Sequence, residues 1–274
     1  MLISVRDHDA YCYTGGKAFN PVLPTVVFIH GAQHDHSVWI LQTRYFAHHG
    51  FNVLAVDLPG HGRSKGAALT SIEAMAQWLL ALLDAAGVRQ AMLIGHSMGS
   101  LIALEACAQA PQRIDKLALV GTAYPMKVSD VLLDAALNEE QRAIDMVNIW
   151  SHTSIAHKPS CPAPGFYVMD GNRRLMQYVS KQNPAQKVFH IDFSACNAYA
   201  NGEAAAKAVA CPTLFLLGKR DLMTPPRAVA ALCRAIPHGT VIQIERCGHA
   251  LMAEQPDAVL EALFSFAKAE SASR

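Results

Sequence analysis

Ser97 stands in Gly95-His96-Ser97-Met98-Gly99, between an apolar run and an amphipathic one. That spacing suits a sharp strand-to-helix turn. Small residues two places either side let the backbone close, the serine Oγ emerges at the carboxyl edge of a sheet, and the helix N-terminus favours developing negative charge. A serine hydroxyl is a weak nucleophile near neutral pH and needs a base that an acid orients. On such a turn the expected chain order is serine, acid, histidine. Asp221 follows an apolar run in LFLLGKRDLMTPP, and His249 follows the next one in VIQIERCGHALMAEQP. Both therefore fall in loops at carboxyl ends of strands, where open α/β sheets bind ligands. His238, in IPHGT, precedes a strand and falls at the opposite edge. The chemistry these residues suit is acyl transfer through Ser97, with His249 as base and Asp221 as its orienter.

A second grouping lies in VVFIHGAQHDHSVW, where His30, His34, Asp35 and His36 crowd together. Histidine with an interleaved acid is a transition-metal donor set. No second Cys/His cluster accompanies it, and a serine triad already accounts for hydrolysis, so no metal is expected. Asp57 and His61, in DLPGHGRS, are expected to hold their own turn. The chain has no Walker-type loop and no dinucleotide fingerprint after its first strand, so no cofactor is expected.

The elements that must position these residues are legible as six apolar runs: TVVFIHG, NVLAVDLPG, AMLIGHS, KLALVGT, TLFLLGKRD and TVIQIERCGH. None alternates apolar with polar, the pattern of strands buried on both faces of a parallel sheet. Amphipathic segments lie between them. One spans TSIEAMAQWLLALLDAAG, where Thr70 and Glu73 form a capping box and Gly87 a stop. Others are SVWILQTRYFAHHG with Trp39 in the core, SMGSLIALEACAQA before Pro111, and a last one opening at Pro256. The alternation predicts a doubly wound, mostly parallel α/β sheet. Residues 2–6 and 10–14 add an antiparallel hairpin, for about eight strands. Between 123 and 205 the strand runs stop. DVLLDAALNEEQRAIDMVNIW, NRRLMQYVSKQ and SACNAYANGEAAAKAVA are helical by pattern, and HKPSCPAPG is a turn region. This segment is expected to be a helical insertion, with 1–122 and 206–274 as the two parts of the core.

The 274 residues are 51% hydrophobic and 16% charged with net charge +1, which excludes a disordered chain and leaves no basic footprint for nucleic acid. The seven cysteines include no CxxC and are expected to be buried free thiols of a reducing compartment. No signal-peptide core opens the chain, and no apolar run reaches the ~18 residues that span a membrane. A soluble cytoplasmic protein that binds neither membrane nor nucleic acid is expected. Nothing in the sequence speaks to oligomeric state.

The segments HGA, DLPGHGRS, GHSMGS, LLGKRDLMTPP and CGHALMAEQPD together give the chain a resemblance to the α/β-hydrolase superfamily, over nearly its whole length. It looks most like the capped, serine-nucleophile, carboxylesterase-like members. The resemblance implies the fold, a helical cap at 123–205, and the triad Ser97, His249 and Asp221. It also implies an oxyanion hole built from the backbone N–H groups of Ala32 and Met98. Serine rather than aspartate at the elbow argues against alkyl-halide or epoxide opening. His96 departs from the G-N-S-M-G of relatives that cleave carbon–carbon bonds, although Met98 matches, and the G-G-S-W-G of peptidase-like relatives is absent. The expected reaction is hydrolysis of a small-molecule carboxylic ester or lactone, with water as second substrate. Hydrolytic C–C cleavage of a ring-fission diketone and a low-turnover ligand sensor remain as alternatives. His34, His96, Trp150, Arg173 and Tyr199 are the candidate pocket residues, with His152, His157, Tyr167, Met169 and Arg174 behind them. An arginine of the pair 173–174 facing the site would select a carboxylate-bearing substrate.

Overall fold

The computed structural model describes residues 1–153 and 167–269. Its strands are β1 (Leu2–Val5), β2 (His8–Tyr13), β3 (Thr25–Ile29), β4 (Asn52–Val56), β5 (Ala91–His96), β6 (Ile114–Val120), β7 (Thr213–Gly218) and β8 (Thr240–Ile244). They form one sheet in the order β1-β2-β4-β3-β5-β6-β7-β8. The β1–β2 and β2–β4 pairs are antiparallel and the rest parallel. Arg6 and Asp7 join β1 to β2 with φ of 48° and 66°. Two positive φ values in a two-residue loop match the right-handed twist of the flanking strands.

Every residue of β3, β4, β5 and β7 is buried. Alternate side chains serve opposite faces: Val27 and Ile29 join one core, Val26 and Phe28 the other. The first core is closed by α2 (Ile72–Ala85) and α3 (Met98–Gln109). The second is closed by α1 (Ile40–His48) and α11 (Pro256–Lys268). Phe28 sits 5.4 Å, ring to ring, from both Trp39 and Phe46, so the helix after β3 is fastened by tilted and edge-on aromatic contacts.

Two local expectations are corrected. β8 leaves four of its five residues exposed. It is the last strand of the sheet, paired only with β7, and its apolar run covers an edge rather than a centre. At α2 the cap is Ser71, whose Oγ accepts the Ala74 N–H at 3.1 Å, and not Thr70. Ile72 is completely buried and fixes the first helical residue directly after Ser71.

Between β6 and β7 lie α4 (Asp130–Asn138), α5 (Glu140–Ser151), α6 (Val168–Gln182), α7 (Val188–Ala198) and α8 (Gly202–Lys207). The first four share a small core of their own that includes Leu132, Ile144, Met176, Phe189 and Phe193. The segment SACNAYANGEAAAKAVA, helical by pattern, is divided between α7 and α8. The buried Glu105 of α3 accepts hydrogen bonds from Tyr199 Oη (2.7 Å) and Asn201 Nδ2 (2.9 Å), which turns the chain between α7 and α8. Ala205 and Ala206 of α8 then pack in the main core beside α3. The short α9 (Ala230–Ala235) and α10 (Leu251–Glu254) complete the described α-helices. The six described cysteines are free thiols, and Cys161 lies outside the described residues. No helix among the described residues is long and apolar enough to cross a membrane.

Candidate active site

Ser97 occupies the turn between β5 and α3 with φ 52° and ψ −119°. A non-glycine residue there stores about 1–3 kcal/mol of backbone strain. The turn closes because Gly99 has no side chain: a Cβ there would run into the carbonyls of Ile29 and His30. Ser97 N–H donates to Val120 O at 2.9 Å, tying the elbow to the end of β6.

Three strand ends deliver a continuous hydrogen-bonded chain. Ser97 Oγ lies 2.9 Å from His249 Nε2, and His249 Nδ1 lies 2.8 Å from Asp221 Oδ2. Nδ1 faces a carboxylate, so the network places its proton there and leaves Nε2 free to accept from the serine. Asp221 is nearly fully buried and held from both sides. Its Oδ1 accepts the N–H groups of Met223 and Thr224, each at 2.8 Å, and its Oδ2 accepts Thr224 Oγ1–H at 2.7 Å. Burial alone would raise its pKa, but the His249 ring, with the hydrogen bonds from His249 and Thr224, outweighs that and holds it at about 2. Asp221 is therefore a carboxylate at any working pH.

His96, next to the serine, donates from Nε2 to the His249 carbonyl at 2.9 Å. Burial, then the nearby His249 and His34 rings, push its pKa well below the usual histidine value. A neutral His96 thus fastens the loop that carries His249. On the other side, the loop after β3 comes so close that a Cβ on Gly31 would lie 3.2 Å from Ser97 Cβ. The N–H groups of Ala32 and Met98 have no protein acceptor among the described residues. A tetrahedral oxyanion on Ser97 is the kind of group that such unpaired donors stabilise.

Ser97 and His249 open into a cavity of about 580 Å³. Gly31, Ala32, His34 and His96 lie beside them, and Val38, Ile40, Val147, Leu175, Phe193 and Met252 supply apolar wall. Ser37, Gln42, Ser151 and Asn172 add neutral polar groups, and Asp257 is at its edge. Among the described residues no lysine or arginine lines it.

Of the pocket candidates, His34 and His96 line the cavity. His34 bridges Ala32 O (2.7 Å from Nδ1) and the Asn172 carboxamide (2.8 Å from Nε2). The other three lie elsewhere. Trp150 packs on the core of the inserted helices. Tyr199 is buried against α3, bound to Glu105. Arg173 turns to α5, where it pairs with Asp145 at 2.9 Å. Arg174 is exposed and lies 3.7 Å from Asp170. Tyr167 donates to Met169 Sδ, His152 Nδ1 lies 2.7 Å from Asn148 O, and His157 falls outside the described residues. The histidine-rich run resolves into separate structural duties. Asp35, His36 and Asp57 bring potential ligand atoms within 4.8 Å of one another. Three of their four carboxylate oxygens accept hydrogen bonds: Asp57 Oδ1 from His36 N–H and Nδ1–H, Asp57 Oδ2 from Arg63 N–H, and Asp35 Oδ1 from Ser37. His30 donates to Gly31 O and accepts from Leu58 N–H.

The sequence model of the α/β-hydrolase fold family matches residues 24–256. The chain belongs to this family. As an α/β hydrolase it is 25% identical over 244 residues to (E)-2-((N-methylformamido)methylene)succinate hydrolase of Acinetobacter baylyi, covering 87% of this chain and 88% of that one. It is 38% identical over 111 residues to the dihydrolipoyllysine-residue acetyltransferase component of the acetoin cleaving system of Cupriavidus necator, covering 40% of this chain but only 28% of that longer protein. Its fold superposes on the enol-lactonase of Burkholderia xenovorans LB400 with TM-score 0.83 at 22% identity, covering 98% of this chain and all of that one.

Three positions in this α/β hydrolase carry contacts that spacing did not announce. Thr224 touches both Asp221 Oδ2 and His249 Nδ1 (3.1 Å), and its place three residues after the acid is a turn signal. Asp192 is a lone acid in the apolar stretch VFHIDFSAC, a pattern that marks a paired buried charge. His61 is its partner: besides its own turn at Pro59 O, its Nε2 reaches Asp192 Oδ2 at 2.9 Å.

Proposed function

We propose that this α/β hydrolase cleaves an uncharged carboxylic ester or lactone through an acyl-enzyme on Ser97. The observation that carries the reading is the Ser97–His249–Asp221 chain at the floor of a largely apolar cavity. His249 Nε2 takes the Ser97 proton as Oγ attacks the carbonyl carbon. The N–H groups of Ala32 and Met98 receive the oxyanion. Collapse breaks the ester C–O bond, and His249 returns the proton to the leaving alkoxide. Water, deprotonated by the same histidine, then attacks the acyl carbon and releases Ser97. In a lactone the alkoxide stays tethered to the acyl group. Asp221 keeps the base in the correct tautomer and offsets the charge it gains.

The described walls support an uncharged substrate. The Acinetobacter relative is named for hydrolysing a succinate derivative, which bears carboxylates, and the described wall of this cavity offers no cation to receive one. Burying an unpaired carboxylate in an apolar pocket is costly. The same consideration counts against hydrolytic C–C cleavage of an acidic ring-fission product.

A panel of p-nitrophenyl esters, with and without a carboxylate on the acyl chain, tests the reading alongside a fluorophosphonate. The expected outcome is an initial burst, labelling at Ser97, and preference for the neutral esters. Ser97→Ala should lose about 10⁶ in kcat while still binding substrate. Retention of more than about a hundredth of wild-type turnover would remove Ser97 from the mechanism.

A further inference from the structure

The loop that carries the Ala32 N–H is held less by the sheet than by the inserted helices above it. Asp192, on α7 and completely buried, accepts the Gln33 N–H at 2.8 Å and the His61 Nε2–H at 2.9 Å on the same oxygen, Oδ2. Gln33 is itself fully buried and has φ 57°, a left-handed conformation that a glutamine holds only under constraint. Its side chain supplies further fastenings: Nε2 donates to Met176 O (3.1 Å) and Ser180 Oγ (2.6 Å) on α6. His34 closes on Ala32 O from the other side of the same peptide. The Ala32–Gln33 peptide is therefore gripped at its N–H by Asp192 and at its C=O by His34, which constrains Ala32 next to Gly31, whose backbone approaches Ser97.

The Asp192 carboxylate is poorly designed for stability alone. Its Oδ1 is buried without a hydrogen-bond partner, and a buried ion pair with an unsatisfied oxygen tends to return less than its desolvation costs. Both ring nitrogens of His61 face acceptors, Pro59 O and Asp192 Oδ2, the arrangement that suits an imidazolium donating from each. Its pKa is accordingly raised: burial pushes it down, and the Asp192 charge and hydrogen bond outweigh that. An ionised acceptor gives the stronger grip on a backbone N–H.

We propose that Asp192 is a positioning residue for the oxyanion hole, setting the Ala32 N–H from the inserted helices, with the Gln33 side chain as a second fastening. This rests on the serine-hydrolase reading above. The placement contributes mainly in the transition state, where the oxyanion exists, and little to ground-state substrate binding.

The test measures kcat and KM for p-nitrophenyl butyrate and the inhibition constant of phenylboronic acid, which adds to a serine hydroxyl as a tetrahedral anion. For Asp192→Leu the expected result is a loss of about tenfold or more in kcat, short of the 10²–10³ that outright loss of a donor costs. KM should stay within about threefold and boronate affinity should fall by the same factor as kcat. Asp192→Asn, whose amide oxygen still accepts the Gln33 N–H, should restore both to within several-fold of wild type. If Asp192→Leu is not recovered folded, Gln33→Gly decides: glycine suits the φ of 57° and loses both side-chain bonds to α6, so the same paired loss is expected. Wild-type kcat and boronate affinity in the deciding variant, or a loss confined to KM or to thermal stability, would overturn the proposal. Fluorophosphonate labelling separates the two readings. An unlabelled Ser97 in the wild type sinks the serine mechanism and the positioning role with it, whereas labelled variants with unimpaired kcat sink only the latter.

Discussion

Asp221→Asn probes the site in two independent ways. The side chain of Asp221 is only 1% exposed, and its pKa falls from 3.8 to about 2 on folding. That difference corresponds to about 2–3 kcal/mol of stability. A carboxylate with a depressed pKa contributes its full share above the unfolded value, near pH 4, and loses it as pH falls through the folded value, near 2. About half should remain at pH 3. The asparagine also presents an N–H₂ where Oδ2 accepted, facing His249 Nδ1 and Thr224 Oγ1. The imidazole must then move its proton to Nε2, which can no longer accept from Ser97. A loss of about 10⁴ in kcat is expected for a wrong tautomer. The assays are urea denaturation of wild type and variant at pH 7, 5 and 3, and ester turnover at pH 7. A stability gap of the same size at pH 3 as at pH 7 would refute the linkage argument. A variant retaining more than about a hundredth of wild-type kcat would refute the role of Asp221 in holding the tautomer.

Further expectations follow from particular contacts. Gly99→Ala places a methyl against the Ile29 and His30 carbonyls; overpacking of about 1–3 kcal/mol should appear as a lowered melting temperature together with lost turnover, and an unaltered variant would contradict the packing at the elbow. Arg173→Ala breaks a half-exposed pair with Asp145; stability should change by less than about 1 kcal/mol, with neutral and carboxylate-bearing esters equally unaffected in kinetic assays. His61 has a raised pKa, so the stability it contributes is complete below the ordinary histidine value and is lost as pH rises through its folded one. The gap in unfolding free energy between wild type and His61→Gln should accordingly be larger at pH 6 than at pH 9, and a gap independent of pH would exclude the charged pair.

Ser97, Asp221 and His249 were legible as a group because each follows an apolar run that must be a strand, and chain order then suggests the roles proposed for them. The same logic located the loop after β3. The inserted helices were legible as helices but not as walls. A helical period tells which residues share a face, not which face turns to the site. Arg173 and Arg174 open no view of Asp145 or Asp170, and Trp150 gives no sign that it packs inward while its neighbour Ser151 meets the cavity. Contacts between residues far apart in the chain leave still less trace. His61 and Asp192 are separated by 131 positions, and Glu105 and Tyr199 by 94. Their only mark is a polar residue in an apolar context, which states that a partner exists without naming it. The edge position of β8 escaped for the same reason: its Thr-Val-Ile-Gln-Ile composition resembles a central strand, and only the strand order exposes it.

The order in which the chain delivers its parts has a consequence for synthesis. Ser97 and the loop after β3 belong to the first six strands, whereas Asp221 and His249 arrive only with β7 and β8, the last two added to the sheet. A nascent chain that has already folded its elbow therefore holds a serine with no base beside it. On the serine-hydrolase reading, the Ser97–His249–Asp221 chain stays incomplete until β7 and β8 have joined the sheet.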